Sequence, residues 1–213
     1  MTDLAERLTD AAASAGDDGE RTETKGERTR RRLLEIAVER FGRRGFRATS
    51  VSEIAREAGL TQAAAYAYFD GKDALFAAAV DADASGLVDE TLEQVADTTV
   101  DQLLPSTVVH LVVGLEAHPL AKRVLAGQEP EALPRLVGLP AIERFSAQLA
   151  DRLVEAQVAG EVRGDVDVPV LSAGLESIVV ALLMSTVQSG GMATERHLVG
   201  VVAAFDAMLR PPA

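Results

Sequence analysis

The segment Leu60–Leu75, LTQAAAYAYFDGKDAL, sets two tyrosines and a Gly-Lys-Asp step on a background of alanine. Thr61 and Gln62 are the polar side chains at its start, and a Gln amide can pair two-pronged with an adenine edge. Catalytic chemistry is thinly supplied elsewhere. There is no Cys, which excludes disulfides, thiolate metal sites and a cysteine nucleophile. His110, His118 and His197 show no metal-ligating spacing such as H-E-x-x-H. No G-x-S-x-G elbow, P-loop or dinucleotide fingerprint is present. His110, Glu116 and His118 lie near one another in the chain without a positioned nucleophile. The sequence therefore predicts neither an enzyme, nor a metal site, nor a cofactor.

Charge separates the chain into two parts. The formal net charge of −12 argues against a polyanionic partner, but its distribution reverses that reading. Residues 25–50 hold nine Lys or Arg against three Glu, whereas residues 74–213 hold eight basic against nineteen acidic side chains. A basic module precedes an acidic body.

The elements that must position these residues are helical. The hydrophobic share, 47% of residues, is mostly Ala, Val and Leu, with 4% aromatics and no Trp, which favours packed helices over sheets. Residues 1–26, rich in Ala, Gly, Asp, Ser and Thr, are expected to form a flexible tail. From Thr29 the apolar residues Leu33, Ala37 and Phe41 recur at helical steps, and Gly42 and Gly45 are expected to stop that helix. Ser50 and Glu53 form a Ser-x-x-Glu capping box ahead of Val51, Ile54, Ala55 and Ala58, and Gly59 should end this second helix. Thr61 caps the next one two residues later. Two short helices joined by a Gly turn make a helix-turn-helix. Asp70 is expected to cap a long helix from about Lys72 to Ala96. Further helices are expected near Val100–Ala117, Pro119–Ala126, Pro130–Val137, Pro140–Ala159, Pro169–Ser189 and Thr194–Leu209, with prolines at their starts. The fold class is all-α, with a helix-turn-helix unit at 27–73 and a larger body at 74–213. Asp3, Glu6 and Asp10 interrupt the first residues. No run is expected to reach the roughly 18 apolar residues of a membrane span, so a protein without membrane contact, in the cytoplasm, is anticipated.

The segment TSVSEIAREAGLTQAAAYAYFDGKDALF, preceded by RRRLLEIAVERFGRRGFRATS, resembles the N-terminal DNA-binding domain of TetR/AcrR-type transcriptional regulators over roughly residues 28–80. The resemblance implies a homodimer, a double-stranded operator with two half-sites, and a C-terminal domain that binds a small molecule and changes operator affinity. In a helix starting at Gln62, Ala65 and Phe69 turn inward, while Gln62, Ala63, Tyr66 and Ala67 turn outward. Alanines on the outer face let the backbone approach the floor of a major groove and touch thymine methyls. By the resemblance, Tyr66 and Tyr68 donate to phosphates and Lys72 adds its charge to a helix start. Thr49, Ser50 and Ser52 do the same one helix earlier, and Arg28 belongs to a basic arm reaching to Arg32.

The resemblance further assigns the last two helices to dimerisation, through Leu175, Ile178, Val179, Leu182, Leu198, Val201, Val202, Phe205 and Leu209. A cavity for a hydrophobic or amphipathic effector is expected among Leu87, Leu104, Val108, Leu111, Leu115, Phe145 and Leu149, with His110 and Gln148 as polar groups.

Overall fold

The computed structural model describes residues 23–130, 132, 139–190 and 195–211, with the side chains of 195–198 excepted. Among the described residues there are nine helices and no strand: α1 Lys25–Ala48, α2 Val51–Glu57, α3 Gln62–Tyr66, α4 Gly71–Val95, α5 Val100–Gly114, α6 Pro119–Leu125, α7 Pro140–Val158, α8 Val168–Gln188 and α9 Glu195–Leu209. The expected helix at Pro130–Val137 falls almost wholly outside the described residues.

The first helix departs from the sequence expectation at both ends. It starts at Lys25, because Thr24 and Glu27 form a capping box of their own: the Glu27 amide donates to Thr24 Oγ1 (3.2 Å) and the Thr24 amide to Glu27 Oε2 (2.8 Å). It runs through Gly42, which is buried because a side chain there would come within 3.0 Å of the Pro119 ring of α6. Gly45 is where helical geometry breaks, at φ 79° and ψ 171°. A Cβ at that position would stand 2.7 Å from both Arg123 Nη2 and Glu129 Oε1, so glycine is required by conformation and by space. At α4, Asp70 provides no side-chain cap, contrary to expectation.

Two apolar cores result. One gathers Leu33, Ala37 and Phe41 of α1, Ile54 and Ala55 of α2, Ala65, Phe69, and Leu75 to Val80 of α4, and is closed by Leu120 and Val124 of α6. Within it Phe41 stacks on Phe46 and meets Phe76 edge-on, and Phe46 and Phe76 are tilted, with ring centres 4.8–6.2 Å apart. The other core joins Leu87 to Val95 of α4 with α5, α7, α8 and the inward side of α9. The long α4 thus enters both, and the expected division at residue 73 falls inside it.

A buried carboxylate ties these parts together. Asp83 replaces an apolar residue on the inward stripe of α4, and its Oδ2 accepts from the Leu120 and Ala121 amides at the start of α6 (2.9 and 2.8 Å). Its Oδ1 meets His118 Nδ1 at 3.1 Å, while His118 Nε2 lies 3.4 Å from Glu90. Asp83 therefore satisfies backbone donors that a helix start leaves orphaned.

The outward faces of α8 and α9 correct the expected dimer contacts. Leu175, Val179, Phe205 and Leu209 are buried within the chain's own body core, so they have no surface to offer a partner. Leu182, Val201 and Val202 are half-buried, Ile178 is exposed, and the Leu198 side chain lies outside the described residues. Against expectation also, Val168–Gln188 is long and apolar enough by length and composition to cross a membrane, having Glu176 as its single charged residue. Its inward side is packed on α5, α6 and α7.

The His118 contacts make stability depend on pH. The hydrogen bond to Asp83, helped by the nearby charges of Asp83 and Glu90 and opposed by burial, raises the His118 pKa. The stabilisation from protonated His118 is complete below its ordinary value of about 6.5 and is lost as pH rises through the raised one. Urea unfolding across that window should show stability falling with rising pH, with a shallower fall in His118→Gln. An identical slope in the variant would remove His118 as the source.

Candidate nucleic-acid interface

The five-residue α3 is too short to be stable alone and is held from three sides. Thr61 Oγ1 accepts from the Ala64 amide (3.2 Å) at its start. Ala65 and Phe69 anchor its inner side, at 2% and 7% exposure. Gly59, at φ 75°, makes the turn that delivers the chain from α2. Arg30 of α1 lies over the Phe69 ring at 4.9 Å, which places α1's basic segment beside the end of α3.

Gln62, Ala63, Tyr66 and Ala67 all lie on the exposed side, in agreement with the helical reading. Gln62 Nε2 donates to Tyr66 Oη at 3.1 Å, so one amide hydrogen is held within the helix while Oε1 and the second hydrogen stay available. Tyr68 is half-buried against the core, so its ring acts partly as packing. Lys72, the second residue of α4, sets Nζ 4.4 Å from the Phe46 ring centre. That contact holds a charge at a helix start, where an anion is favoured.

One residue behaves otherwise than the sequence suggested. Thr49 is 2% exposed, and its hydroxyl donates to the Gly45 carbonyl (2.9 Å) and lies 3.3 Å from that of Arg40. Thr49 satisfies the Gly45 carbonyl, at the break in α1, from inside. Its hydroxyl is thus turned away from any ligand. Ser50 performs the expected capping box with Glu53, and its Oγ also sits 3.1 Å from that of Ser52, which is exposed.

Several of the basic side chains are already engaged. Arg40 Nε donates to Glu57 (2.7 Å), Arg43 meets Glu39 (3.1 Å), Arg44 meets Glu53 (3.8 Å), and Arg28 and Arg31 share Glu23 (3.7 and 3.0 Å). Such solvent-exposed pairs hold about 0–1 kcal/mol each, so exchanging a carboxylate for a phosphate costs little. Sequence reasoning missed the role of Glu129. Its Oε1 accepts from Arg123 Nε (2.8 Å) and its Oε2 from the Phe46 amide (3.2 Å), so the body grips α1 at the break.

The expected effector residues do not line one chamber. Leu87, Leu111 and Phe145 border an apolar cavity of about 70 Å³ between α4, α6, α7 and α8. Phe145, Gln148 and Leu149 border a separate cleft of about 270 Å³. Leu104 faces an open groove at the other end of the body. Val108 and Leu115 are core residues, and the half-buried His110 borders none of these spaces. Among the described residues no cluster of side chains fits a metal ion.

The Ser50 cap yields a direct check. Ser50→Ala should cost about 1 kcal/mol of stability and Ser52→Ala well under half of that, read from urea unfolding. Equal losses would mean that the cap does not hold α2.

Residues 33–79 match the sequence profile of "Bacterial regulatory proteins, tetR family". Over 54 residues the chain is 48% identical to an uncharacterized HTH-type transcriptional regulator, YdgC, of Bacillus subtilis, covering 25% of this chain and 28% of that protein. Over 56 residues it is 38% identical to the HTH-type transcriptional regulator AcrR of Shigella flexneri, covering 26% of each. These matches span about a quarter of the relatives' own length. The fold extends further. The fatty acid degradation regulator FadR from Bacillus halodurans superposes with a TM-score of 0.63 at 19% identity, over 85% of this chain and 94% of that one. A Mesorhizobium loti protein described as a TetR-family transcriptional regulator superposes at 0.68 and 23% identity, over 88% and 100%. Residues 33–79 are thus similar to the tetR-family DNA-binding domain, and the fold of the whole chain is similar to that of solved regulators.

Proposed function

We propose that this regulator binds a two-fold operator in double-stranded DNA as a homodimer, acts as a repressor in the cytoplasm, and is released by a hydrophobic or amphipathic small molecule. The observation that carries the DNA-binding reading is the exposed row Gln62, Ala63, Tyr66 and Ala67 on a helix pinned by Thr61, Ala65 and Phe69. A row this small admits the helix backbone deep into a major groove about 12 Å wide. Gln62 is the polar base reader, and the alanine methyls contact thymine. Tyr66, Tyr68, Ser50, Ser52, Lys72 and Arg28 hold phosphates, which fix register without reading sequence.

Dimerisation is supported by the faces that the body leaves uncovered. Val170 is 71%, Ile178 38% and Val199 61% exposed, and Ala173, Gly174, Ala181, Ala203, Ala204 and Ala207 are exposed on the same two helices. Small side chains let helices approach closely. The interface therefore centres on Ile178 and Val199 rather than on Leu175 and Phe205.

Effector action follows from connectivity. A cavity of about 70 Å³ is far below the ~300 Å³ of ordinary ligand sites, so a ligand entering between α4 and α7 must part them. Displacing α4 moves Lys72 and the helix-turn-helix, and the ligand shifts the equilibrium only as far as it prefers one spacing.

Selection from random-sequence DNA tests the reading. Two inverted half-sites should emerge, and Gln62→Ala should lose discrimination at one base pair per half-site by about tenfold, in keeping with 1–3 kcal/mol for a bidentate pair. Failure to enrich any sequence would overturn it. Ile178→Asp/Val199→Asp should sediment as a single chain where the wild type sediments as two.

A further inference from the structure

The basic run that opens α1 is poorly matched within its own helix. Lys25, Arg28, Arg30, Arg31 and Arg32 are all exposed, and Glu27 is the one acid among residues 25–32. Glu27 is occupied by capping, its Oε2 accepting from the Thr24 amide and hydroxyl (both 2.8 Å). Arg28, Arg31 and Arg32 border an open groove of about 490 Å³ between α1 and the end of α2. Its three acids, Glu35, Glu39 and Glu57, meet Arg31, Arg43 and Arg40. Arg32 has no carboxylate partner among the described residues. Positive charge is therefore left over at the end of the groove where α1 begins.

The chain that leads into α1 carries the opposite charge. Residues 1–23 hold seven Asp or Glu against two Arg. The last of these acids, Glu23, is the first described residue, and it is turned back along α1. Its Oε2 lies 3.0 Å from Arg31 Nη2 and 3.7 Å from Arg28 Nε, so one acid of the segment already stands on the basic face. The 22 residues before it span at most about 75 Å when extended, and the basic run covers only about 12 Å of helix. Reach is ample. A run of acids tethered at Glu23 is present at millimolar effective concentration, which no separate acidic partner matches without its own specific contacts.

We propose that the acidic segment 1–22 docks on the basic face of residues 25–32 and competes there with DNA phosphate, so that the chain restrains its own binding to DNA of arbitrary sequence. The competition rests on the DNA-binding reading above. Arg30, over the Phe69 ring at 4.9 Å, sets this run beside the end of α3, within the surface that reading turns to the duplex. Phosphate contacts supply essentially all of nonspecific binding, whereas an operator adds base contacts. A competitor for phosphate contacts therefore weakens nonspecific binding in greater proportion. It also leaves a trace in the salt dependence. When DNA displaces an acidic segment from the arginines, fewer counterions are released than when it meets bare arginines, so the slope against salt is shallower.

Two measurements on the full chain test the docking and the competition separately. The chain has no Cys, so Ser14→Cys accepts a single nitroxide label. The label should broaden the amide resonances of residues 25–32 at about 50 mM salt and release them at about 500 mM. Resonances that stay sharp at low salt would overturn the docking, whatever the DNA result. For the competition, Asp3, Glu6, Asp10, Asp17, Asp18 and Glu20 are replaced by Asn or Gln. A control replaces six exposed acids of the body, Glu93, Asp97, Asp101, Asp151, Glu155 and Glu161, so both variants change net charge equally. Against random-sequence duplex at about 50 mM salt, the first variant should bind roughly tenfold more tightly than the wild type and with a steeper salt slope. The control should gain far less. Equal gains in the two variants, or no gain in the first, would overturn the competition. Failure of all three chains to bind duplex would overturn the DNA-binding reading and the competition with it, while the nitroxide measurement still decides the docking.

Discussion

The Asp83 carboxylate is the interaction on which the arrangement of this molecule rests. It sits inside, on a helix stripe otherwise reserved for Ala, Val and Leu, and its burial is tolerated because both of its oxygens have donors. By holding the start of α6 against α4 it fixes where Pro119 stands, and Pro119 fills the space that Gly42 leaves in α1. A few residues further on, Arg123 and Glu129 hold the break at Gly45. Losing one partner would leave a buried charge uncompensated, which is costlier than the pair is stabilising. The short α6 is therefore the clasp between the basic module and the acidic body.

That clasp explains how an acidic chain can present a basic surface without neutralising it. The body contributes carboxylates to the junction, and among the described residues those of Asp83 and Glu129 are turned onto backbone amides, His118 and Arg123 rather than onto Arg40, Arg43 or Arg44 of α1. Those arginines are paired largely with glutamates of their own module, in exposed contacts that a phosphate can replace. Four further carboxylates of the body, Asp101, Glu155, Glu161 and Asp206, frame the groove at its far end. Separation of charge in the sequence thus becomes separation in space, with α4 spanning the interval.

How much was legible depends on the range of the interaction concerned. The capping box at Ser50, the Gly59 turn and the inward and outward residues of α3 are set by neighbours within four positions, and periodicity alone revealed them. Gly42 was misread as a stop, because its purpose is close approach to Pro119 some eighty residues away; Gly45 does break the helix, but its second purpose, room for Arg123 and Glu129, was equally distant. Thr49 has the composition of a phosphate ligand, yet the Gly45 carbonyl claims its hydroxyl. On α8 and α9 the apolar residues are spread around the helices, so the pattern could not say which side faces the body. A signal for Asp83 was present: an acid four residues after Ala79 and four before Leu87, on an otherwise buried stripe. Its partners on α6 were beyond reach of spacing.

Fluorescence anisotropy of DNA from immediately upstream of the chain's own coding region, titrated at several salt concentrations, bears most directly on the claim that a basic module makes this acidic protein a DNA-binding one. Binding should weaken steeply with salt, roughly as the number of phosphates neutralised, and Tyr66→Phe/Lys72→Ala should both weaken it and lower the slope by about one. Binding that is flat in salt, and unaltered in the double variant, would contradict the account.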